Sequence, residues 1–184
     1  MQVSETKLKG VYLIEPDVFG DQRGWFMETY SKTKMAQYGL DTVFRQDNQS
    51  YSAQKGTLRG LHFQNNPKSQ TKLVRCTRGA ILDVAVDIRE GSPQYCVWVA
   101  IELSAQNFRQ LFIPKGFAHG FVTLTDDVEI VYKVDEDYTP TCDRGIRYDD
   151  PTLAVDWGAI TPILSTKDAQ LPYLKASDCN YIYS

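Results

Sequence analysis

Ala80-Ile81-Leu82-Asp83-Val84-Ala85-Val86-Asp87-Ile88 decides the fold. The run is short and β-branched, and Gly79 and the Glu90-Gly91-Ser92-Pro93 turn bound it, so it reads as a strand. Upstream, Thr71-Lys72-Leu73-Val74-Arg75-Cys76 reads the same way, and Arg78-Gly79 between the two runs predicts a tight hairpin. Downstream come Tyr95 to Leu103, Arg109 to Ile113, Gly116 to Thr125 and Val128 to Val134, punctuated by Pro114-Lys115-Gly116 and Thr125-Asp126-Asp127. Toward the N-terminus, Val11 to Ile14, Gly24 to Tyr30, Val43 to Tyr51 and Thr57 to Gln64 are further strands. Ser31 to Tyr38 is a polar, roughly helical patch that stops at Gly39, and a short helix is expected near Ser165 to Gln170. Past about residue 138 the alternation fades. Many short strands at regular spacing indicate an all-β sandwich or barrel and exclude a βαβ fold.

The chain of 184 residues suits one domain. A net charge of −3 gives no global basic field for nucleic acid, and no apolar run reaches membrane-spanning length. Met1 to Thr6 lacks the basic flank and apolar core of a secretory signal. The four cysteines, Cys76, Cys96, Cys142 and Cys179, are widely spaced, which fits reduced thiols in a cytoplasmic protein better than a zinc ribbon or a redox pair.

The two histidines lie in Leu58-Arg59-Gly60-Leu61-His62-Phe63-Gln64 and in Ile113 to Phe121, which holds His119. A strand histidine is more often a satisfied structural residue than a catalyst. The strand in each case presents glycine, where a ligand can approach the backbone closely. Metal sites typically need three or four protein ligands, so two histidines on separate strands predict no metal. No Gly-x-Ser-x-Gly elbow and no phosphate loop is present. Acid–base chemistry remains, with His62 as the candidate base. Lys72 is an edge lysine or an oxyanion stabiliser, and Tyr132 a core residue or a proton donor. Arg23 and Arg59, each next to glycine and near the candidate chemistry, favour an anionic ligand over plain surface charge.

These residues belong to a larger pattern. Phe19 to Phe26, Gln46 to Ser50, Leu58 to Gln64, Gln70 to Val74, Asp83 to Pro93, Gln110 to Phe121, Tyr132-Lys133, Asp149 to Pro151 and Leu164 to Asp168 follow in order. The chain thereby resembles the dTDP-4-dehydrorhamnose 3,5-epimerases over about residues 10 to 172. The resemblance implies an all-β, cupin-type jelly-roll β-barrel with short peripheral helices. It implies a single epimerase domain over 1–184 with a tail at 173–184, a homodimer, no cofactor, and a dTDP-sugar substrate with a ketone at carbon 4.

By the same resemblance His62 is the base, Asp168 its carboxylate, Lys72 the enolate stabiliser and Tyr132 the acid on the other face. Substrate contacts fall on Arg23, Phe26, Glu28, Gln46, Asn48, Arg59, His119, Asp143 and Lys167, with Tyr138 stacking on thymine. Asp143 stands where many relatives have Glu, one methylene longer. Chemistry agrees with this set, since epimerisation beside a ketone needs a base, an acid on the opposite face and a donor at the enolate oxygen. Nothing is oxidised overall, in keeping with the missing Gly-x-Gly-x-x-Gly fingerprint. The rival expectations are an epimerase acting at one carbon, a non-catalytic sugar-nucleotide-binding cupin and a metal-dependent cupin.

Overall fold

The computed structural model describes residues 1–183. Its strands are β1 (Gln2–Glu5), β2 (Tyr12–Glu15), β3 (Val18–Asp21), β4 (Gly24–Met27), β5 (Gln46–Ser52), β6 (Leu58–Gln64), β7 (Lys72–Arg78), β8 (Ala80–Asp87), β9 (Trp98–Ser104), β10 (Gln110–Ile113), β11 (Phe117–Thr123), β12 (Val128–Val134) and β13 (Asp143–Gly145). Two short α-helices, α1 (Lys32–Ala36) and α2 (Thr166–Ala169), and one 3-10 turn at Leu174–Ala176 complete the elements.

The strands form three antiparallel sheets: six strands in the order β1-β2-β10-β7-β12-β5, five in the order β13-β6-β11-β8-β9, and the pair β3-β4. All-β is therefore right, but the expected closed jelly-roll barrel is not what the chain builds. Each larger sheet ends on strands paired along one side only, and among the described residues no ladder of hydrogen bonds joins the two sheets. The sheets are open, and short end strands such as the three-residue β13 limit the unpaired edge.

The Arg78-Gly79 hairpin is also overturned. β7 pairs with β10 and β12, whereas β8 pairs with β11 and β9, so the turn carries the chain from one sheet to the other. Gly79 has φ of +71°, and a Cβ there would lie 2.5 Å from the Thr125 hydroxyl. The residue serves a tight crossing that only glycine fits.

Side-chain alternation then sets three layers. Between the larger sheets lie Val74, Cys76, Ile81, Ala85, Val99, Leu103, Leu111, Phe117, Phe121, Val128 and Ile130. The other face of the five-stranded sheet, with Leu61, Phe63, Val84, Val86, Ala118 and Val122, is covered by Ile146, Leu153, Trp157, Leu174 and Tyr181 of the C-terminal segment. Ile14, Leu73 and Phe112 on the outer face of the six-stranded sheet pack under Met35 and Leu40. Covered on both sides, β11 is buried along its whole length.

Candidate active site

The inward-facing positions between the sheets are mostly apolar but carry one polar side chain on each of three strands. On β7 the inward series is Lys72, Val74, Cys76; on β12 it is Val128, Ile130, Tyr132; on β11 it is Phe117, His119, Phe121. Where these polar side chains meet, a cavity of about 520 Å³ opens. Its lining brings together His62, Lys72, Tyr132, Asp168, Gln46, Asn48, Arg59, His119, Tyr138, Asp143 and Lys167.

His62 on β6 and Tyr132 on β12 come from opposite sheets, so they reach the cavity from its two sides. His62 Nε2 lies 2.5 Å from Asp168 Oδ1. The Ser165 hydroxyl donates to Asp168 Oδ2 at 2.9 Å and accepts the Asp168 backbone N–H at 3.0 Å, which caps α2. Burial pushes the Asp168 carboxyl up, but its bonds to His62 and Ser165 outweigh that and leave it below the usual carboxylate range. Asp168 is thus an anion that holds the His62 ring through Nε2 and leaves Nδ1 as the nitrogen able to take a proton.

Lys72 is buried, and its Nζ donates over a long 3.5 Å to the His62 carbonyl oxygen. Burial lowers its pKa to about 8, while the charges of Asp83 and Asp143 oppose the shift. It therefore remains an ammonium at neutral pH. Burial raises the Tyr132 phenol, with Arg59 pulling it down and Asp143 up. A phenol held above its ordinary value is protonated at neutral pH and available as an acid. His119 donates or accepts at Nε2 with Asp83 Oδ1 at 2.8 Å, and burial lowers its proton affinity.

At the rim, Asp143 Oδ2 accepts from Lys167 Nζ at 2.5 Å and from the Tyr138 hydroxyl at 3.2 Å. Gln46 Nε2 donates to Asn48 Oδ1 at 2.7 Å, and Gln46 Oε1 accepts the Tyr138 N–H at 3.2 Å. Arg59 Nη2 donates to the Tyr51 carbonyl at 3.0 Å and Nε to Ser52 Oγ at 3.3 Å. These bonds hold the guanidinium beside the cavity.

Three expected residues lie elsewhere. Arg23, Phe26 and Glu28 do not line the cavity; they belong to the β3-β4 hairpin and the residue just after it. Arg23 pairs with Asp21 at 2.5 Å and Glu28 with Lys34 at 2.9 Å, and Phe26 is 68% exposed. Conversely, Asp83 and Ser165 were not singled out as site residues by sequence reasoning. Asp83 had a signal, a lone acid in mid-run of an apolar strand. Ser165 had another, a capping hydroxyl three residues before Asp168.

No group of three or more His, Cys, Asp or Glu side chains placed to hold a metal ion occurs among the described residues. No helix among them is long and apolar enough to cross a membrane.

The family model for dTDP-4-dehydrorhamnose 3,5-epimerase matches residues 5–176. The dTDP-4-dehydrorhamnose 3,5-epimerase of Sinorhizobium fredii is 49% identical over 175 residues, 95% of this chain and 90% of that protein. The crystal structure of the enzyme of that name from Bacillus anthracis, with TDP and PPi bound, superposes with a TM-score of 0.91 at 50% identity, covering 94% of this chain and 98% of that one. The dTDP-6-deoxy-D-glucose-3,5-epimerase of Legionella pneumophila, in complex with dTDP-4-keto-L-rhamnose, gives 0.92 at 43% identity, covering 96% and 94%. With a matching model over nearly its whole length and close relatives in sequence and shape, the chain belongs to the dTDP-4-dehydrorhamnose 3,5-epimerase family.

Proposed function

We propose that His62, Asp168, Lys72 and Tyr132 carry out the reaction of this family in this chain. That reaction is epimerisation at carbons 3 and 5, which turns dTDP-4-dehydro-6-deoxy-D-glucose into dTDP-4-dehydro-L-rhamnose in dTDP-L-rhamnose biosynthesis. The observation that carries the residue roles is the arrival of His62 and Tyr132 from opposite sheets at one cavity that the buried Lys72 also lines.

The carbon–hydrogen bonds at carbons 3 and 5 flank the carbon 4 ketone, so loss of either proton leaves an enolate. His62 Nδ1 takes the proton, and Asp168 stabilises the imidazolium that results. The Lys72 ammonium faces the enolate oxygen, where a preformed charge in a dry site is worth most. Tyr132 then delivers a proton to the opposite face of the same carbon and inverts it. A second cycle at the other carbon completes the product. Arg59 and His119 take the diphosphate end, and Tyr138 with Lys167 and Asp143 the nucleoside end.

A homodimer completes this account. Phe19, Trp25 and Phe26 are 64%, 58% and 68% exposed on the β3-β4 hairpin, an apolar surface that a lone subunit leaves in water. The same hairpin carries Arg23 and Phe26, with Glu28 just beyond, the substrate contacts missing from the subunit's own cavity. In the proposed dimer each hairpin supplies them to the other subunit's cavity. The reading takes residues 1–184 as one domain and places it in the cytoplasm, in keeping with four free cysteines.

The test is the product. Incubated with dTDP-4-dehydro-6-deoxy-D-glucose, the protein yields a sugar inverted at both carbons by nuclear magnetic resonance; inversion at one carbon alone would mark a mono-epimerase.

A further inference from the structure

Asp83 has no part in the chemistry above, yet it is a fully buried acid in the middle of β8. Ile81 and Ala85 on either side face the space between the sheets, so Asp83 does too. It does not line the cavity itself. Its Oδ1 is bound to His119 Nε2 at 2.8 Å, while Oδ2 is the one buried side-chain oxygen or nitrogen among the described residues without a hydrogen-bond partner. A buried carboxylate is costly unless something charged answers it. His119 is a weak answer, because burial lowers its affinity for a proton.

Around Lys72, His62 on β6, His119 on β11, Asp143 on β13 and Tyr132 on β12 line the same cavity, and Asp83 on β8 lies behind His119 within reach of its charge. Two of them are acids. Asp143 Oδ2 is already taken by Lys167 and Tyr138. Asp83 keeps Oδ2 unpaired, and its charge is the stronger of the two acting on Lys72. We propose that Asp83 is a positioning residue for the epimerisation: its carboxylate is the fixed counter-charge that keeps the Lys72 ammonium charged at the cavity floor and holds the His119 ring in place.

The proposal rests on Lys72 as the enolate stabiliser, and the sign of its consequences is fixed. Without Asp83 only Asp143, the weaker of the two charges, still opposes the burial that favours the neutral amine. Lys72 then loses its proton at lower pH, and the alkaline limb of the kcat profile moves down with it. A purely structural Asp83 would lower stability or activity without moving that limb.

The experiment follows kcat against pH for Asp83→Asn and Asp83→Ser, both uncharged, alongside Asp83→Glu, with folding checked by circular dichroism. In parallel the Lys72 side chain is titrated by nitrogen-15 magnetic resonance in the same proteins without substrate. The expected result is a downward shift of about one pH unit or more in both readings for a folded neutral variant, and a return toward the wild-type limb in Asp83→Glu. An unshifted Lys72 titration in either folded neutral variant overturns the proposal. So does a wild-type Lys72 that is neutral at pH 7, a reading that needs no variant to fold. If Lys72 titrates as expected but the kcat limb ignores it, the counter-charge stands and the enolate role of Lys72 fails.

Discussion

Asp168 Oδ1 lies 2.5 Å from His62 Nε2 although the two residues are 106 positions apart in the chain. Nothing local joins them. The dyad exists because the C-terminal segment folds back over the five-stranded sheet and starts α2 beside β6, with Ser165 as its cap.

That cap makes Ser165 the first target. Ser165→Ala removes the donor to Asp168 Oδ2 and leaves the carboxylate free to turn away from His62. The expected loss is about fivefold in kcat, the worth of one hydrogen bond, with TDP binding unchanged in calorimetry. Ser165→Thr, which keeps the hydroxyl, should restore the rate. Equal weakening of TDP binding would instead make Ser165 a loop-folding residue.

Tyr132→Phe separates the two proton transfers. The ring still packs and only the hydroxyl is lost. His62 and Lys72 can still form the enolate, and the proton can return by way of His62 on the original face. Deuterium from the buffer should enter the sugar without inversion. Inversion at both carbons at the wild-type rate would make Tyr132 a packing residue.

Arg59→Lys tests the anion site. Arg59 spends Nη2 on the Tyr51 carbonyl and Nε on Ser52, which fixes the plane of its fork. Lysine offers a point charge with no fork. TDP alone should bind about tenfold more weakly; unchanged affinity would remove Arg59 from the diphosphate site.

The proposed exchange of hairpins between subunits predicts complementation. Arg23→Ala and His62→Asn proteins should each be nearly inactive alone. Mixed and allowed to exchange subunits, they form hybrids in which one cavity has both an intact His62 and a partner's intact Arg23. Activity should rise on mixing. If it stays at the level of the two proteins measured separately, Arg23 serves its own subunit or none.

Much of this was legible in the residues. Alternation located most strands of the larger sheets to within a few positions: the expected run from Tyr95 became β9 at Trp98–Ser104, and that from Val43 became β5 at Gln46–Ser52. Eleven of the fourteen expected site residues share the cavity. The misses have physical causes. β13 is three residues long and pairs with β6 without any alternation to reveal it. Arg78-Gly79 has the chemistry of a tight turn whichever sheet the next strand joins, so the crossing between sheets could not be told from a hairpin. Open edges and a closed barrel use the same strand pattern, because closure depends on which strands meet across the chain. Arg23, Phe26 and Glu28 were expected at the site through the resemblance, but they do not line this chain's own cavity.

The most direct test of the account is to incubate dTDP-4-dehydro-6-deoxy-D-glucose in deuterated buffer with the wild-type protein and with His62→Asn, and to follow carbons 3 and 5 by nuclear magnetic resonance. General-base removal costs on the order of 10² to 10⁴ in rate. The account predicts deuterium and inversion at both carbons with the wild type and a loss of that size at both with folded His62→Asn. Near-wild-type exchange in the folded variant, at either carbon, would contradict it.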